Sequence, residues 1–377
     1  MKKVVITGSQ GFIGRNLIAG LEQSEEVYIF GFDVGQSLEA LETALAEADI
    51  VIHLAGVNRP EAVEEFTTGN VEFTAYVCDT LARGRRSVPL VLASSIQVER
   101  NNPYGRSKLE AETLVKRYSE ANDAPGIIYR LKNVFGKWCR PNYNSVVATF
   151  CHNIARDLPI TISNPANTLD LVHIDDVVEQ FIREVHTASP AGVHYREVTP
   201  AFQTTLGALT EHLRSFHDIR QTLRLPDLSD LFVRKLYGTY LSYLDTDNFA
   251  YTLQQRCDPR GCLAEFVKSS TAGQIFVSTT KPGITRGNHY HHTKTEKFLV
   301  LQGEAIIRFR HIENGDILEY PVKGEDFRVV DIPPGYTHSI ENVGDSELVT
   351  LFWASEIFDP DNPDTRWLTV LPEGVTE

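Results

Sequence analysis

Three closely spaced glycines near the N-terminus restrict the possible folds more than any other feature of this sequence. They lie between a short apolar run and an amphipathic stretch, at Gly8, Gly11 and Gly14. A glycine-rich turn between a strand and a helix lets backbone N–H groups approach a pyrophosphate at the helix N-terminus. The spacing therefore predicts a dinucleotide-binding loop, and the alternative is a glycine-rich turn that binds no ligand.

Short β-branched runs alternate with amphipathic stretches through the first half of the chain. The predicted strands are Val4–Thr7, Val27–Phe32, Ile50–Leu54, Leu90–Ala93 and Ile127–Tyr129. The predicted helices are Phe12–Leu21, Leu38–Ala48, Lys108–Tyr118 and Val146–Ala155. Strands that alternate with helices predict an α/β domain with a Rossmann-type, doubly wound parallel sheet.

An acidic residue, Asp33, ends the second predicted strand, 19 residues after Gly14. A carboxylate at this place usually hydrogen-bonds the adenosine ribose and favours NAD over NADP. Asp33 can equally be a solvated turn residue before Gly35. A single helix separates Asp33 from the next predicted strand, so the sequence lacks one strand–helix pair of a typical dinucleotide-binding domain.

The pattern changes in the second half of the chain. The region before residue 245 is helical and polar, whereas short runs such as Ala305–His311 and Leu348–Trp353 alternate with turns further on. Many short strands between turn signals predict an all-β barrel or sandwich. A chain of 377 residues is long enough for two domains, which we place at 1–245 and 246–377.

Charge and composition exclude several classes of protein. A formal net charge of −14 argues against nonspecific nucleic-acid binding. No apolar run approaches the roughly 20 residues of a membrane span, and Gly8 interrupts the first apolar run too early for a signal peptide. The cysteines are few and scattered, so we interpret Cys257 and Cys262 as ordinary thiols and expect a protein of the reducing cytoplasm.

A serine, a tyrosine and a lysine form a candidate catalytic set in the first half. Tyr104 and Lys108 are four residues apart, so they share one face of a helix. A nearby ammonium lowers the pKa of a phenol, which suits Tyr104 to exchange a proton with a carbonyl oxygen. Ser95, at the end of a strand, can hold that oxygen. The set predicts hydride transfer to or from a carbonyl carbon, and the alternative is a residue pair on a helix surface.

Three histidines and a glutamate form a candidate metal site in the second half. His289 and His291 alternate on a predicted strand and therefore project from the same face. Glu296 can return on the next strand, and His338 can arrive from a third. Three imidazoles and a carboxylate suit a divalent metal with an open position, and the alternative is a structural histidine cluster. His292 faces away from His291 on a regular strand and is not counted as a ligand.

Several segments of the first half match landmarks of a known family. They are His53–Gly56, Asn70-Val71, Asn102–Lys108, Arg130 with Asn133–Gly136, and Val172–Val177. This half resembles the extended short-chain dehydrogenases/reductases that act on nucleotide sugars. The resemblance implies catalysis by Ser95, Tyr104 and Lys108, cofactor binding by Gly8, Gly11, Gly14, Asp33, Leu54 and Ala55, and substrate binding by Asn133 and Arg140. Ser95 and Tyr104 are nine residues apart, fewer than in most relatives, so we expect a wider or reshaped substrate pocket.

The second half resembles the two cupin motifs in its ligand types and their spacing. Segments along the whole chain, among them Leu54–Pro60, Phe135–Cys139 and Thr239–Leu244, are similar to the CapF-type bifunctional enzymes of capsular and lipopolysaccharide synthesis. This resemblance implies a reductase followed by a cupin, with NADPH as cofactor and zinc as the metal, whereas Asp33 favours NADH. A metal-free epimerase cupin that uses histidine as base remains an alternative to the metal site.

The resemblance also implies a reaction sequence on a UDP-linked sugar. The cupin epimerises C3 of a UDP-4-keto-6-deoxy-N-acetylhexosamine, and the reductase reduces C4 to give UDP-2-acetamido-2,6-dideoxy-L-talose, a precursor of UDP-N-acetyl-L-fucosamine. We expect a cytoplasmic homodimer without nucleic-acid or membrane partners. Two alternatives stay open: a nucleotide-sugar reductase or epimerase whose cupin is only structural, and a nucleotide-sugar sensor without catalysis.

Overall fold

The protein divides into two compact units. The computed structural model describes residues 1–313 and 315–371. The first unit contains Met1–Arg214 and Lys235–Asp245, and the second contains Ser215–Arg234 with the described residues from Thr246 onward. Residues 215–234 precede the predicted boundary and yet cluster with the second unit, so the domain limits 1–245 and 246–377 stay a prediction.

The first unit is built on a parallel sheet. Its strands are β1 (Lys2–Thr7), β2 (Val27–Phe32), β3 (Ile50–His53), β4 (Leu90–Ser95), β5 (Pro125–Leu131), β6 (Asn133–Phe135), β7 (Thr168–His173), β8 (Gly192–Arg196) and β9 (Ala201–Thr205). Six of them form the main sheet in the order β2-β1-β3-β4-β5-β8, with every pair parallel. A smaller sheet has the order β6-β7-β9.

Helices cover both faces of the main sheet. They are α1 (Phe12–Leu21), α2 (Leu38–Glu47), α3 (Phe73–Arg83), α4 (Pro103–Asn122), α5 (Val146–Ile154) and α6 (Ile174–His186), with a π-helix at Thr67–Glu72 and a 3-10 helix at Ile96–Glu99. Neighbouring residues of a strand point to opposite faces. Ile6 therefore packs with residues of α1 and α6, whereas Val5 packs with residues of α2, α3 and α4. The predicted doubly wound α/β sheet is confirmed.

The second strand is an edge of this sheet. β2 pairs with one side of β1 and β3 with the other, and α2 alone connects β2 to β3. The strand–helix pair that the sequence lacks would extend the sheet beyond β2. Asp33, directly after β2, therefore lies at the edge of the described sheet, next to the turn that follows β1.

Two further helices, α7 (Leu206–Thr222) and α8 (Leu231–Leu241), each contribute residues to both units. None of the described helices combines the length and the apolar character needed to cross a membrane.

The second unit consists of two antiparallel sheets. Its strands are β10 (Gln255–Asp258), β11 (Gly261–Ser269), β12 (Gly273–Thr280), β13 (Thr285–Tyr290), β14 (Glu296–Gln302), β15 (Glu304–His311), β16 (Ile317–Lys323), β17 (Val329–Ile332), β18 (Tyr336–Asn342), β19 (Leu348–Ala354) and β20 (Arg366–Trp367), with a 3-10 helix at Gly324–Asp326. The sheets have the orders β10-β11-β12-β19-β14-β17 and β16-β15-β18-β13-β20. Phe298 and Phe352 from one sheet share a core with Ile307 and Phe309 from the other. The predicted all-β cupin barrel is confirmed.

The interpretation of Cys257 and Cys262 as ordinary thiols was wrong. The two residues form a disulfide, because they lie directly opposite each other in the hairpin of β10 and β11. Their spacing of five residues brings them together only when the intervening residues form this tight turn. The other cysteines, at positions 78, 139 and 151, are free and buried.

Candidate functional site

The glycine loop connects β1 to α1 and lies against the segment that follows β3. Gly8 has a φ of +71°, and a Cβ atom on it would lie 2.7 Å from the backbone nitrogen of Ala55. A Cβ atom on Gly14 would lie 2.3 Å from the carbonyl oxygen of Gly8. Gly11 is the N-cap residue of α1. Backbone atoms that cannot give way fill this space, so the loop has the close packing expected of a dinucleotide-binding turn.

The carboxylate of Asp33 is bound to this loop. Its Oδ2 accepts a hydrogen bond from the backbone N–H of Gln10 at 2.7 Å, and its Oδ1 accepts one from Val34 at 2.8 Å. Asp33 is therefore anchored to the glycine loop, and its role at the ribose stays a prediction beside its place in the turn. Each oxygen keeps a second lone pair, which is what a ribose hydroxyl would need.

Leu54 and Ala55 lie beside the glycine loop, directly after β3. The N–H of Leu54 donates to the carbonyl of Thr7 at 3.1 Å, and the N–H of Ala55 donates to the Thr7 hydroxyl at 3.3 Å. The Nδ1 atom of His53 binds the same hydroxyl at 2.7 Å. Burial lowers the pKa of His53 to about 3, so its ring is neutral and holds these segments together without adding charge.

Ser95 and Tyr104 come together at the carboxyl end of β4, and Lys108 follows Tyr104 one turn along α4. Ser95 is the last residue of β4, and its side chain forms a hydrogen bond with Tyr104 near the start of α4. Burial raises the pKa of Tyr104, contrary to the expected lowering by Lys108, and the hydrogen bond with Ser95 opposes this rise. Burial also lowers the pKa of Lys108 to about 8, against the opposing charge of Glu112. At neutral pH the Lys108 ammonium is thus still charged, one helical turn from the Tyr104 hydroxyl.

Sequence reasoning missed Glu112, which lies one turn beyond Lys108 on α4. Its side chain is 2% exposed. Ser94 donates to its Oε1 at 2.5 Å, and Arg130 donates to both oxygens at 3.1 and 2.8 Å. These partners compensate for burial of the carboxylate, whose charge favours the protonated form of Lys108. The signal in the sequence was a third polar residue at the same four-residue spacing.

The short connection from Ser95 to Tyr104 packs onto the first turn of α4. The N–H of Gly105 donates to the side chain of Asn102 at 2.7 Å, which caps the helix. A Cβ atom on Gly105 would lie 2.2 Å from the carbonyl oxygen of Gln97. The connection therefore follows a tight path, while its expected effect on the pocket stays a prediction.

The predicted substrate residues lie on the surface of the first unit. Asn133 begins β6 and donates to the carbonyl of Asp170 at 3.1 Å. The guanidinium of Arg140 lies 5.3 Å from the ring centre of Tyr143. These contacts leave the substrate roles of Asn133 and Arg140 as predictions.

The four candidate metal ligands come together in the second unit. His289 near the end of β13 pairs with His338 of β18, Glu296 begins β14, and His291 follows β13 directly. One ligand atom from each of the four residues lies within 4.8 Å of all the others. Oε2 of Glu296 is 3.4 Å from Nε2 of His291 and 3.6 Å from Nε2 of His338. His292 lies outside this cluster.

The donor set of this cluster fits a divalent cation. The Nε2 atoms of His291 and His338 are buried and make no well-aligned hydrogen bond, which is costly for a polar atom unless a ligand completes it. Burial lowers the pKa of His289 to about 4, which keeps its ring neutral. Burial opposes ionisation of Glu296, but the adjacent His291, His338 and Lys294 side chains hold its pKa well below the usual range. A neutral imidazole beside an ionised carboxylate is the state in which such residues bind a metal.

A cavity of about 280 Å³ opens beside this cluster, and His289 and Glu296 both line it. Arg256 and Lys294 also line it, and so do two further carboxylates, Glu265 and Glu356. Each cation is paired with a carboxylate: Arg256 lies 3.5 Å from Glu265, and the Nζ atom of Lys294 is 3.3 Å from Oε1 of Glu296. The cavity therefore gives a small molecule access to the cluster past polar side chains of both charges.

Two family models match the chain, one in each half. Residues 4–196 match the NAD-dependent epimerase/dehydratase family, and residues 256–366 match the polysaccharide biosynthesis C-terminal domain. The chain belongs to the NAD-dependent epimerase/dehydratase family. The glycine loop and the Ser95–Tyr104–Lys108 set lie within the first match. All four members of the histidine–glutamate cluster lie within the second match.

Some relatives match this chain over nearly its whole length. A Pseudomonas aeruginosa protein named UDP-2-acetamido-2,6-beta-L-arabino-hexul-4-ose reductase is 45% identical over 96% of this chain and 97% of its own length. The crystal structure of the capsular polysaccharide assembling protein CapF from Staphylococcus aureus has a TM-score of 0.90 at 46% identity, over 97% of this chain and 100% of that one. The predicted resemblance to CapF-type proteins is confirmed.

A more distant structure is similar in fold alone. The UDP-glucuronic acid 4-epimerase of Bacillus cereus, solved in complex with NAD, has a TM-score of 0.52 at 19% identity. The match covers 57% of this chain and 84% of that one.

Gly8→Ala is expected to weaken dinucleotide binding by roughly tenfold or more, because the added methyl group pushes the glycine loop away from Ala55. Gly35→Ala is the matched control: Gly35 also has a positive φ, +90°, but its Cβ would meet open space. Fluorescence titration with NADPH and with NADH measures both variants. An equal loss of affinity in the two variants would assign the effect to backbone strain and contradict the packing argument.

Proposed function

We propose that this protein epimerises C3 of a UDP-4-keto-6-deoxy-N-acetylhexosamine in its second unit and reduces the C4 ketone in its first. The observation that carries the proposal is the presence in one chain of two assembled sets: Ser95–Tyr104–Lys108, and three histidines with Glu296. The name of the P. aeruginosa relative, a reductase of a UDP-linked hexul-4-ose, supports the substrate class. The product is UDP-2-acetamido-2,6-dideoxy-L-talose, a UDP-N-acetyl-L-fucosamine precursor for capsule or lipopolysaccharide.

Reduction adds a hydride to C4 and a proton to the C4 oxygen. The glycine loop would hold the pyrophosphate of a reduced dinucleotide, which would supply the hydride when bound. The Tyr104 hydroxyl donates the proton, and Ser95 holds the oxygen that receives it. The ammonium of Lys108 stabilises the phenolate that remains until solvent reprotonates it. Asn133 and Arg140 are proposed to hold the sugar nucleotide.

We propose NADPH as the cofactor, on the resemblance to CapF-type enzymes, with NADH as the alternative. The carboxylate of Asp33 would repel a 2′-phosphate, which favours NADH. Both of its oxygens, however, already accept backbone hydrogen bonds from Gln10 and Val34, which orient the carboxylate and offset part of its charge. Fluorescence titration of the wild-type protein with NADPH and with NADH gives the two affinities, and the tighter binding identifies the preferred cofactor.

Epimerisation removes the C3 proton and returns a proton to the opposite face of the same carbon. A divalent cation, zinc in this proposal, polarises the neighbouring ketone when bound and so makes that proton more acidic. His289, His291, Glu296 and His338 would hold the cation. The adjoining cavity is lined by Arg256 and Lys294 together with Glu265, Glu296 and Glu356, so it offers hydrogen-bond donors and acceptors to a UDP-linked substrate without an excess of positive charge. The cytoplasmic location, the homodimer and the lack of nucleic-acid or membrane partners stay predictions from the sequence.

Tyr104→Phe is expected to lower NADPH-dependent ketone reduction by roughly 100-fold or more, because the proton donor is lost. Exchange of the C3 proton should persist, since Tyr104 belongs to the reductase set alone. Tyr28→Phe, at an exposed position of β2, is the control. The measurements are NADPH oxidation and proton NMR of the sugar in deuterated water. Near-normal NADPH oxidation by Tyr104→Phe would overturn the assignment.

Ketone reduction is expected to slow above about pH 8, where the buried Lys108 loses its proton. The folded-state pKa is lowered, so the charged form is present below about pH 8 and is lost as the pH rises through that value. Glu112→Gln removes a charge that favours the ammonium, and it should move this fall in rate to lower pH. Glu110→Gln, at an exposed position of the same helix, should leave the profile unchanged.

The pH profile of the reduction rate, measured for the three proteins with their folding checked by circular dichroism, tests this expectation. An unchanged profile in a folded Glu112→Gln variant would contradict the role given to Lys108.

The double variant His289→Ala, His291→Ala is expected to lose bound metal and deuterium incorporation at C3, while dinucleotide binding remains. Two of the four ligands are then missing, and the remaining pair cannot hold a cation tightly. His292→Ala is the control, because His292 lies next to the cluster but outside it. Metal analysis and proton NMR of the sugar report the result. Exchange at the wild-type rate in the double variant would place epimerisation elsewhere and leave the cupin a structural role.

A further inference from the structure

Asp364 binds the loop that joins two of the candidate metal ligands. Its carboxylate accepts hydrogen bonds from three consecutive backbone N–H groups, those of His292 at 2.9 Å, Thr293 at 2.7 Å and Lys294 at 2.9 Å. The hydroxyl of Thr293 adds a further bond at 3.1 Å. This loop begins immediately after His291 and ends just before Glu296, so the carboxylate of Asp364 fixes the path of the chain between these ligands.

The main chain of Asp364 acts on one ligand directly. Its carbonyl oxygen accepts a hydrogen bond from Nδ1 of His291. An imidazole that donates through Nδ1 has its free lone pair on Nε2, so this bond selects the tautomer that can bind a metal. The Nε2 atom of His291 is the one that lies 3.4 Å from Oε2 of Glu296.

The residues that follow Asp364 continue along the strands that carry the other ligands. Trp367 of β20 pairs with His289 of β13. The carbonyl of Leu368 accepts a hydrogen bond from the hydroxyl of Thr337, the residue before His338. The segment 364–368 therefore contacts the chain at or next to three of the four candidate ligands, and it reaches Lys294, two residues before Glu296.

We infer that Asp364 is a positioning residue of the candidate metal centre, which orients His291 and holds the loop that leads to Glu296. The inference rests on the metal centre of the proposed function. Asp364 does not itself belong to the ligand cluster; its carboxylate is saturated by backbone donors. Loss of the carboxylate leaves all four ligands and the carbonyl of residue 364 present, but it releases the loop after His291, so the loop and His291 can shift relative to that carbonyl.

The test measures metal affinity in the full-length protein. Zinc competition against a chromogenic chelator gives the dissociation constant, and the absorption spectrum of the cobalt-substituted protein reports the geometry of the site. Asp364→Ala is expected to weaken zinc binding by about 10–100-fold and to alter the cobalt spectrum. Asp364→Asn keeps the shape and one acceptor oxygen, so its effect should be smaller. Asp361→Ala is the control, because Asp361 is an exposed residue three positions earlier.

The outcomes separate this inference from the proposed function. If the wild-type protein binds no metal, the metal centre and the positioning role both fail. If wild type, Asp364→Ala and Asp364→Asn bind zinc equally well and give the same cobalt spectrum, only the positioning role fails. Unchanged NADPH binding and an unchanged circular dichroism spectrum show that a loss of affinity in either variant is local and is not caused by unfolding.

Discussion

Burial of an ionised carboxylate is costly unless its oxygens find partners, and each unit of this protein builds a candidate site around one such group. Glu112 lies inside the first unit, where Arg130 and Ser94 satisfy it and Lys108 is one helical turn away. Glu296 lies inside the second unit among imidazoles and beside Lys294. In both places the surrounding side chains are held in position because they balance a charge that could not otherwise be buried.

The two sites put this constraint to different uses. In the first, the carboxylate is a supporting group that favours a charged lysine beside a tyrosine, which suits proton transfer to a carbonyl oxygen. In the second, the carboxylate belongs to the ligand cluster itself, which suits a cation next to a ketone. The proposed 4-keto sugar would suit both, because the carbonyl that accepts hydride is the same group that makes the neighbouring C–H bond acidic.

Local patterns picked out residues that the structure brings together, such as the four of the histidine–glutamate cluster, whereas contacts between distant segments were not predictable. Some patterns involve residues only a few positions apart. They are the glycine spacing, the four-residue step from Tyr104 to Lys108 and the alternation of His289 with His291. The anchoring of Asp33 by Gln10 depends on how two loops meet, although Asp33 itself was identified. The bond from His291 to Asp364 joins residues 73 positions apart, and no pattern along the chain marks it. To predict the disulfide between Cys257 and Cys262 from the sequence, one would have to know that a hairpin turn places the two residues opposite each other.

The order of synthesis gives the segment 364–368 a further consequence. All four candidate ligands leave the ribosome before Asp364 does, so the histidines and Glu296 exist for a time without the residue that selects the tautomer of His291. The ladder between β13 and β18 consists of residues that are made before Asp364. The groups that gather the ligands and the group that orients His291 therefore come from separate stretches of the chain, and the orienting one is made after the ligands.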